Sequence, residues 1–264
     1  MLKIIEFLLF FFIAYWLLFI YPKRSAKKKA NRVDKESTPE VTQMATCHFC
    51  KIRLPLNDSF LFDQRHFCSM EHFNTFDANG WLGCAKQIRS PNHDERPEDA
   101  HVDTVVIHHI SLPEGCFGGD AIEQFFTNQL DPQDDPYYEK IAHLEVSAHF
   151  LIKRSGELIQ FVSIHDRAWH AGASELFERE KVNDFSVGIE LEGTGEIPYE
   201  SMQYQTLIKL IQAIEKKLHI NYFVGHSDIS PNRKTDPGKS FDWKYVSQTA
   251  KISENKLPFG TTPR

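Results

Sequence analysis

Residues 225–238 read Gly-His-Ser-Asp-Ile-Ser-Pro-Asn-Arg-Lys-Thr-Asp-Pro-Gly, which puts an imidazole, two carboxylates and two cations into one short stretch. Pro231, Pro237 and Gly238 interrupt helix and strand alike, so the stretch is predicted to be an ordered polar loop on a rigid scaffold, a usual seat of chemistry. His226 and Asp236 are candidate metal ligands within it. With His108 they supply two imidazoles and one carboxylate, the donor set of a catalytic zinc site that leaves a fourth position open. Glu190 is a candidate general base and Lys234 a candidate partner for a developing oxyanion. Taken singly, each has an ordinary explanation. A histidine more often packs in a core or lies on the surface, and Asp-Pro-Gly is also plain turn chemistry. Spacing alone leaves both readings open.

A second group of ligand types lies nearer the amino terminus. Cys47-x2-Cys50 is followed, after seventeen residues, by Cys68-x3-His72. Three thiolates and an imidazole at this spacing predict a closed, structural zinc knuckle over residues 46–85, with His48 and His66 as alternative fourth ligands. The segment has too few apolar residues for a core of its own, so a metal would supply folding energy. Between Cys47 and Gly80 there are three Lys/Arg and four acids. That balance disfavours a nucleic-acid finger and leaves a structural or protein-contact module whose partner is unknown. The five cysteines, with no evident pairing, fit a reducing compartment better than a disulfide scaffold.

The elements that must position these residues follow from periodicity. Residues 102–108, Val-Asp-Thr-Val-Val-Ile-His, form a buried strand that delivers His108 at its end. Asp120 caps a helix carrying Ile122, Phe125 and Phe126. Residues 148–152 and 157–162 flank Arg154-Ser155-Gly156 as a hairpin. Residues 185–191 form a strand with Glu190 near its end, residues 201–218 a helix with one apolar stripe, and residues 222–224 a strand feeding the polar loop. The predicted fold is α/β: a mixed central sheet with flanking helices over residues 102–250. Residues 86–101 read as a linker and 251–264 as a flexible tail.

The first 22 residues differ in kind. Residues 7–21 are nearly all Phe, Leu, Ile, Trp and Tyr, and with Ile4 and Ile5 reach about 18 residues, the lower limit for a membrane-spanning helix. Residues 1–35 hold eight Lys/Arg and two acids, a net +6, so the rest of the chain carries −12 of the overall −6. A basic cluster after the apolar run predicts a single-pass inner-membrane anchor, a tether at 23–45 and a cytoplasmic catalytic domain. The acidic body argues against nucleic acid as a partner.

Residues 102–246 resemble the zinc amidases that cleave N-acetylmuramyl-L-alanine bonds, of the 1,6-anhydro-N-acetylmuramyl-L-alanine amidase (AmpD) type. The resemblance is carried by His108-x-Ile110-Ser111-Leu112-Pro113, Phe117-Gly118-Gly119, Arg167-Ala168-Trp169-His170-Ala171-Gly172, Gly188-Ile189-Glu190-Leu191-Glu192-Gly193-Thr194, Gly225-His226-Ser227-Asp228 and Arg233-Lys234-Thr235-Asp236-Pro237-Gly238. It implies the fold shared with peptidoglycan recognition proteins and one catalytic zinc held by His108, His226 and Asp236. It also implies Glu190 and Lys234 as the catalytic pair, Trp169 beside the substrate, and an anhydro-muropeptide as that substrate. Glu192 is expected to face away from the centre. The alternative is a muropeptide-binding or regulatory module without catalysis. Two departures bear on substrate contact: His109 stands where the family usually has Asn, and Glu145 and Lys181 stand where relatives often carry Arg.

Overall fold

The computed structural model describes residues 43–262 and, before them, Ile13, Tyr15 and Trp16. Two units divide the chain at residues 43 and 44. Most of the expected anchor (1–22) and of the tether (23–45) lies outside the described residues. The expected inner-membrane, single-pass location is corrected, because among the described residues no helix is long and apolar enough to cross a membrane.

The larger unit begins with two short hairpins, β1 (Met44–Thr46) with β2 (Arg53–Pro55) and β3 (Phe60–Phe62) with β4 (Arg65–Phe67), followed by the single-turn helix α1 (Met70–Phe73). Then come β5 (Lys86–Gln87), β6 (His93–Asp94), β7 (Thr104–Ile110), α2 (Ala121–Phe126) and α3 (Pro136–Ile141). β8 (Phe150–Ile152) and β9 (Leu158–Gln160) form the expected hairpin, and β10 (Arg167–Ala168), β11 (Glu175–Leu176) and β12 (Arg179–Glu180) follow. The chain continues through β13 (Ser186–Glu192), α4 (Ser201–Lys217), β14 (Tyr222–Gly225), α5 (His226–Ile229) and α6 (Trp243–Ala250).

The central sheet has the order β14-β7-β13-β8-β9-β5. Its first four strands are parallel, β8 and β9 are antiparallel, and β5 runs parallel to β9. β7 and β13 lie at its centre, and every residue of β13 is buried, as parallel strands covered on both faces must be. One face packs Val105, Ile107, Val187 and Ile189 against Leu207 and Ile211 of α4 and Trp243 of α6. The other face holds Leu151 and Ile159 against Phe126 of α2 and, further along, turns Glu190 toward a cleft. α4 begins in a capping box between Glu200 and Gln203, whose side chain accepts from the Glu200 N–H at 3.0 Å. The parallel register sets Glu190 beside His108, so the topology brings two of the predicted residues together.

The stretch 86–101, expected to be a linker, is built into this unit. Lys86 and Gln87 extend the sheet beyond β9, and His93–Asp94 pairs with Arg167–Ala168. The half-buried Arg96 donates to the carbonyls of Asn183 (2.9 Å), Asp184 (3.0 Å) and Ser186 (2.9 Å), which lead into β13. A charged, proline-containing sequence conceals this because its polar group is satisfied by distant backbone. Replacing Arg96 by Ala strands those carbonyls and is predicted to cost roughly 3 kcal/mol, read as a lower urea midpoint at constant slope.

Candidate metal centre and its cleft

The stretch predicted as a loop opens with a short helix over His226–Ile229 and is irregular only after it. β14 ends at Gly225, and the single-turn helix α5 starts with His226, its side chain buried. The loop then returns, and the Ser227 N–H donates to the Asp236 carbonyl at 2.9 Å, fixing the two ligand candidates against each other. His108 Nδ1 lies 2.9 Å from His226 Nδ1 and 3.0 Å from Asp236 Oδ2, and His226 Nδ1 lies 3.0 Å from the same oxygen. The three atoms form a nearly equilateral triangle, one face of a tetrahedron, and can hold a metal ion.

The surrounding hydrogen bonds decide which ring nitrogens carry protons. His226 Nε2 meets the Ala171 carbonyl at 3.1 Å and must donate to it, which leaves Nδ1 bare. Ser186 Oγ gives its proton to the Val182 carbonyl at 2.6 Å, so His170 Nε2, 3.2 Å away, donates to Ser186. His170 Nδ1 therefore accepts from His108 Nε2 at 3.0 Å, and His108 Nδ1 is bare as well. Two imidazole lone pairs and a carboxylate oxygen thus face one another at contact distance. A cation satisfies all three at once, and the donor set suits zinc. Burial, then the neighbouring His226, pushes the His108 imidazole down to about 4, so it is neutral at pH 7. Burial acts to raise Asp236, but its contacts with His108 and His226 outweigh that and hold it far below the usual carboxylate range.

Beside the triangle opens a cleft of about 600 Å³. Glu190 and Lys234 line it, as do His109 and Trp169. Glu190 is 8% exposed, and its Oε2 has no hydrogen-bond partner among the described residues. Burial first, then Asp236, pushes its carboxyl well above the usual range, while Lys234 pulls the other way. Glu192 is on the same side of β13 as Glu190, because residues two apart share a face. What keeps it from the centre is its use elsewhere, since it accepts from the backbone N–H groups of Gly118 (2.5 Å) and Arg154 (2.9 Å). Lys181 is not among the cleft residues; it is exposed, at φ +58°, leading into a short 3-10 turn. Cys47, Cys50, Cys68 and His72 come together in a separate group, and His48 and His66 are engaged elsewhere, by Asp77 and Ser59.

The sequence model of the N-acetylmuramoyl-L-alanine amidase family matches residues 98–239. The 1,6-anhydro-N-acetylmuramyl-L-alanine amidase AmpD of Enterobacter cloacae is 47% identical over 180 residues, 67% of this chain and 96% of the relative. Its Escherichia coli K12 counterpart is 49% identical over 171 residues, 62% of this chain and 91% of the relative. A crystal structure of a selenomethionine AmpD derivative superposes with a TM-score of 0.64 at 48% identity, covering 66% of this chain and 98% of that one. The chain belongs to the N-acetylmuramoyl-L-alanine amidase family. A match of 180 residues that uses 96% of the Enterobacter relative leaves no room there for a counterpart of residues 1–22. The inner-membrane location thus rested on a segment that the relative does not share.

Around the amidase cleft the structure adds Asp94, Arg233 and His170, whose parts motif spacing does not single out. Trp169 is half-buried, and its indole N–H donates to Asp94 at 3.0 Å. Asp94 is in turn gripped by Arg167, whose hydrogen bonds hold its carboxyl low. Arg233 donates to the Ala171 and Ala173 carbonyls, both at 2.8 Å, and lines the cleft. His170 orients His108, and its ring lies so close to Gly188 that a Cβ there would sit 2.4 Å from His170 Cγ. Gly188 is therefore a glycine because of the ring that fixes the ligand's tautomer. His170→Ala removes the acceptor for His108 Nε2 and is predicted to weaken zinc affinity roughly 10- to 100-fold by competition with a chelator.

Proposed function

We infer that the chain is a zinc-dependent N-acetylmuramoyl-L-alanine amidase that hydrolyses the amide between the lactyl group of 1,6-anhydro-N-acetylmuramic acid and L-alanine. Relatives 47% and 49% identical to it are named for cleavage of that bond, and its place is peptidoglycan recycling. The observation that carries the catalytic reading is the buried, unpartnered Oε2 of Glu190 in a cleft also lined by His226 and Asp236, two of the three residues whose ligand atoms converge. A binding module without catalysis has no use for a buried carboxyl held without a partner.

The roles follow from position. His108, His226 and Asp236 hold the zinc, which when bound supplies a Lewis acid for the scissile carbonyl and lowers the pKa of water. Glu190 takes the proton from the attacking water. Lys234 places its ammonium beside the developing oxyanion, where a fixed positive charge in a partly desolvated cleft is worth most. Glu190 then returns the proton to the departing alanine amine, which its raised proton affinity favours. Trp169 and His109 are the proposed substrate contacts. Trp169 offers a half-buried indole face held by Asp94, and His109 a half-buried ring on the same wall.

Glu190→Gln is predicted to keep its zinc and lose roughly 10²- to 10⁴-fold in kcat on anhydro-muropeptide, followed by mass analysis of released peptide. Retained turnover would remove Glu190 from the mechanism. A general base works deprotonated, so activity falls as pH drops through its folded pKa. Because burial raises that pKa, the acid limb of kcat/KM should lie above the ordinary glutamate value of about 4.3. Lys234 lowers it, so Lys234→Met should move the limb to still higher pH as well as reduce the rate.

A further inference from the structure

Outside the amidase cleft, four more ligand-type side chains converge. The ligand atoms of Cys47, Cys50, Cys68 and His72 all lie within 4.8 Å of one another. Cys50 Sγ is 3.7 Å from Cys68 Sγ, and His72 Nδ1 is 3.9 Å from Cys47 Sγ and 3.0 Å from Cys68 Sγ. The edges of a tetrahedral zinc site with sulfur and imidazole ligands are roughly 3.4–3.8 Å, so the spread is that of one small cation. All the thiols are free, and 3.7 Å is far beyond a disulfide bond of about 2.05 Å. The His72 ring stacks on Phe49 at 4.5 Å, and the His72 backbone N–H donates to the Ser69 cap at 3.2 Å. Four protein ligands leave no open position, which is the structural rather than the catalytic arrangement.

The same segment closes the amidase sheet. β5 is the sheet's last strand, and its outward backbone groups would be exposed without a cover. The β3–β4 hairpin meets them: Asp63 Oδ2 accepts from the Gln87 N–H at 3.4 Å, and Arg65 donates to the Ala85 carbonyl at 2.6 Å. Gly83 approaches the ligand-bearing helix so closely that a Cβ would sit 2.5 Å from the Phe73 carbonyl oxygen and 3.0 Å from that of His72. Phe76, Leu82 and Ala85, just beyond that helix, are part of the main hydrophobic core. The hairpins themselves bury little beyond Ala45, Cys47 and Phe67, too small a core to hold their shape alone.

We propose that Cys47, Cys50, Cys68 and His72 bind a structural zinc ion, and that this ion fixes the hairpin module as a cap over the edge strand of the amidase sheet. The site is distinct from the amidase zinc site in ligands and in role. It stands whether or not the amidase reading does.

Zinc content of the full chain, cobalt substitution and amide exchange test it. Wild-type protein should hold two zinc ions per chain, Cys68→Ser one, and His226→Ala one. Cobalt in the wild type and in His226→Ala should show sulfur-to-cobalt charge-transfer absorption, and in Cys68→Ser should not. Exchange at the Gln87 and Ile88 amides should rise at least about tenfold in Cys68→Ser, while amides of β7 stay protected. A wild type without the sulfur–cobalt band overturns the site, even if Cys68→Ser fails to fold. Unchanged exchange at Gln87 and Ile88 after loss of one zinc overturns the capping role.

Discussion

The centre of this structure is an electrostatic conflict that only a cation resolves. His108 Nδ1, His226 Nδ1 and Asp236 Oδ2 stand about 3 Å apart, and the bonds behind them leave both ring nitrogens without a proton. Three lone pairs held together in a buried place repel strongly, and a low-dielectric setting magnifies the repulsion. The fold holds them there through β7, the start of α5 and the return of the polar loop. The relay from His108 through His170 to Ser186 sets the proton direction that makes His108 a ligand, and the Ala171 carbonyl does the same for His226. The metal is thus specified by what surrounds its ligands as much as by the ligands.

The catalytic wall is arranged around the same point. β13 lies beside β7 in parallel register, so Glu190 faces the cleft next to His108 without any long loop to place it. Its burial raises its proton affinity and leaves one oxygen unpartnered, two consequences of one location. Lys234 opposes that rise from the exposed loop. In the proposed mechanism a buried carboxyl handles the proton and an exposed-loop ammonium the oxyanion, both on one cleft.

The sequence revealed the parts whose chemistry is local. Residues 102–108 and 185–191 are β-branched or apolar enough to read as buried strands, and both form, as Thr104–Ile110 and Ser186–Glu192. His226, Asp236 and Lys234 stand out as candidates because their residue types cluster in one polar stretch, but spacing leaves them open and the family resemblance supplies their roles. His170 and Asp94 could not be found this way, since their importance lies in partners 62 and 75 residues away. Arg96 was hidden for the same reason, in a charged stretch that resembles a linker and is in fact folded against β13's entry. Lys181 shows the reverse: its place where relatives often carry Arg suggested a substrate contact, and it is exposed and not among the residues that line the cleft. The apolar amino terminus and the basic cluster after it suggested an inner-membrane location on a segment for which the Enterobacter relative has no counterpart.

Anomalous diffraction at the zinc edge from crystals of the full chain tests the central claim most directly. The account predicts a peak bonded to His108 Nδ1, His226 Nδ1 and Asp236 Oδ2, with both Nε2 atoms still engaged by His170 and the Ala171 carbonyl. A zinc-loaded crystal with no peak there, or with either histidine turned to bind through Nε2, would contradict it.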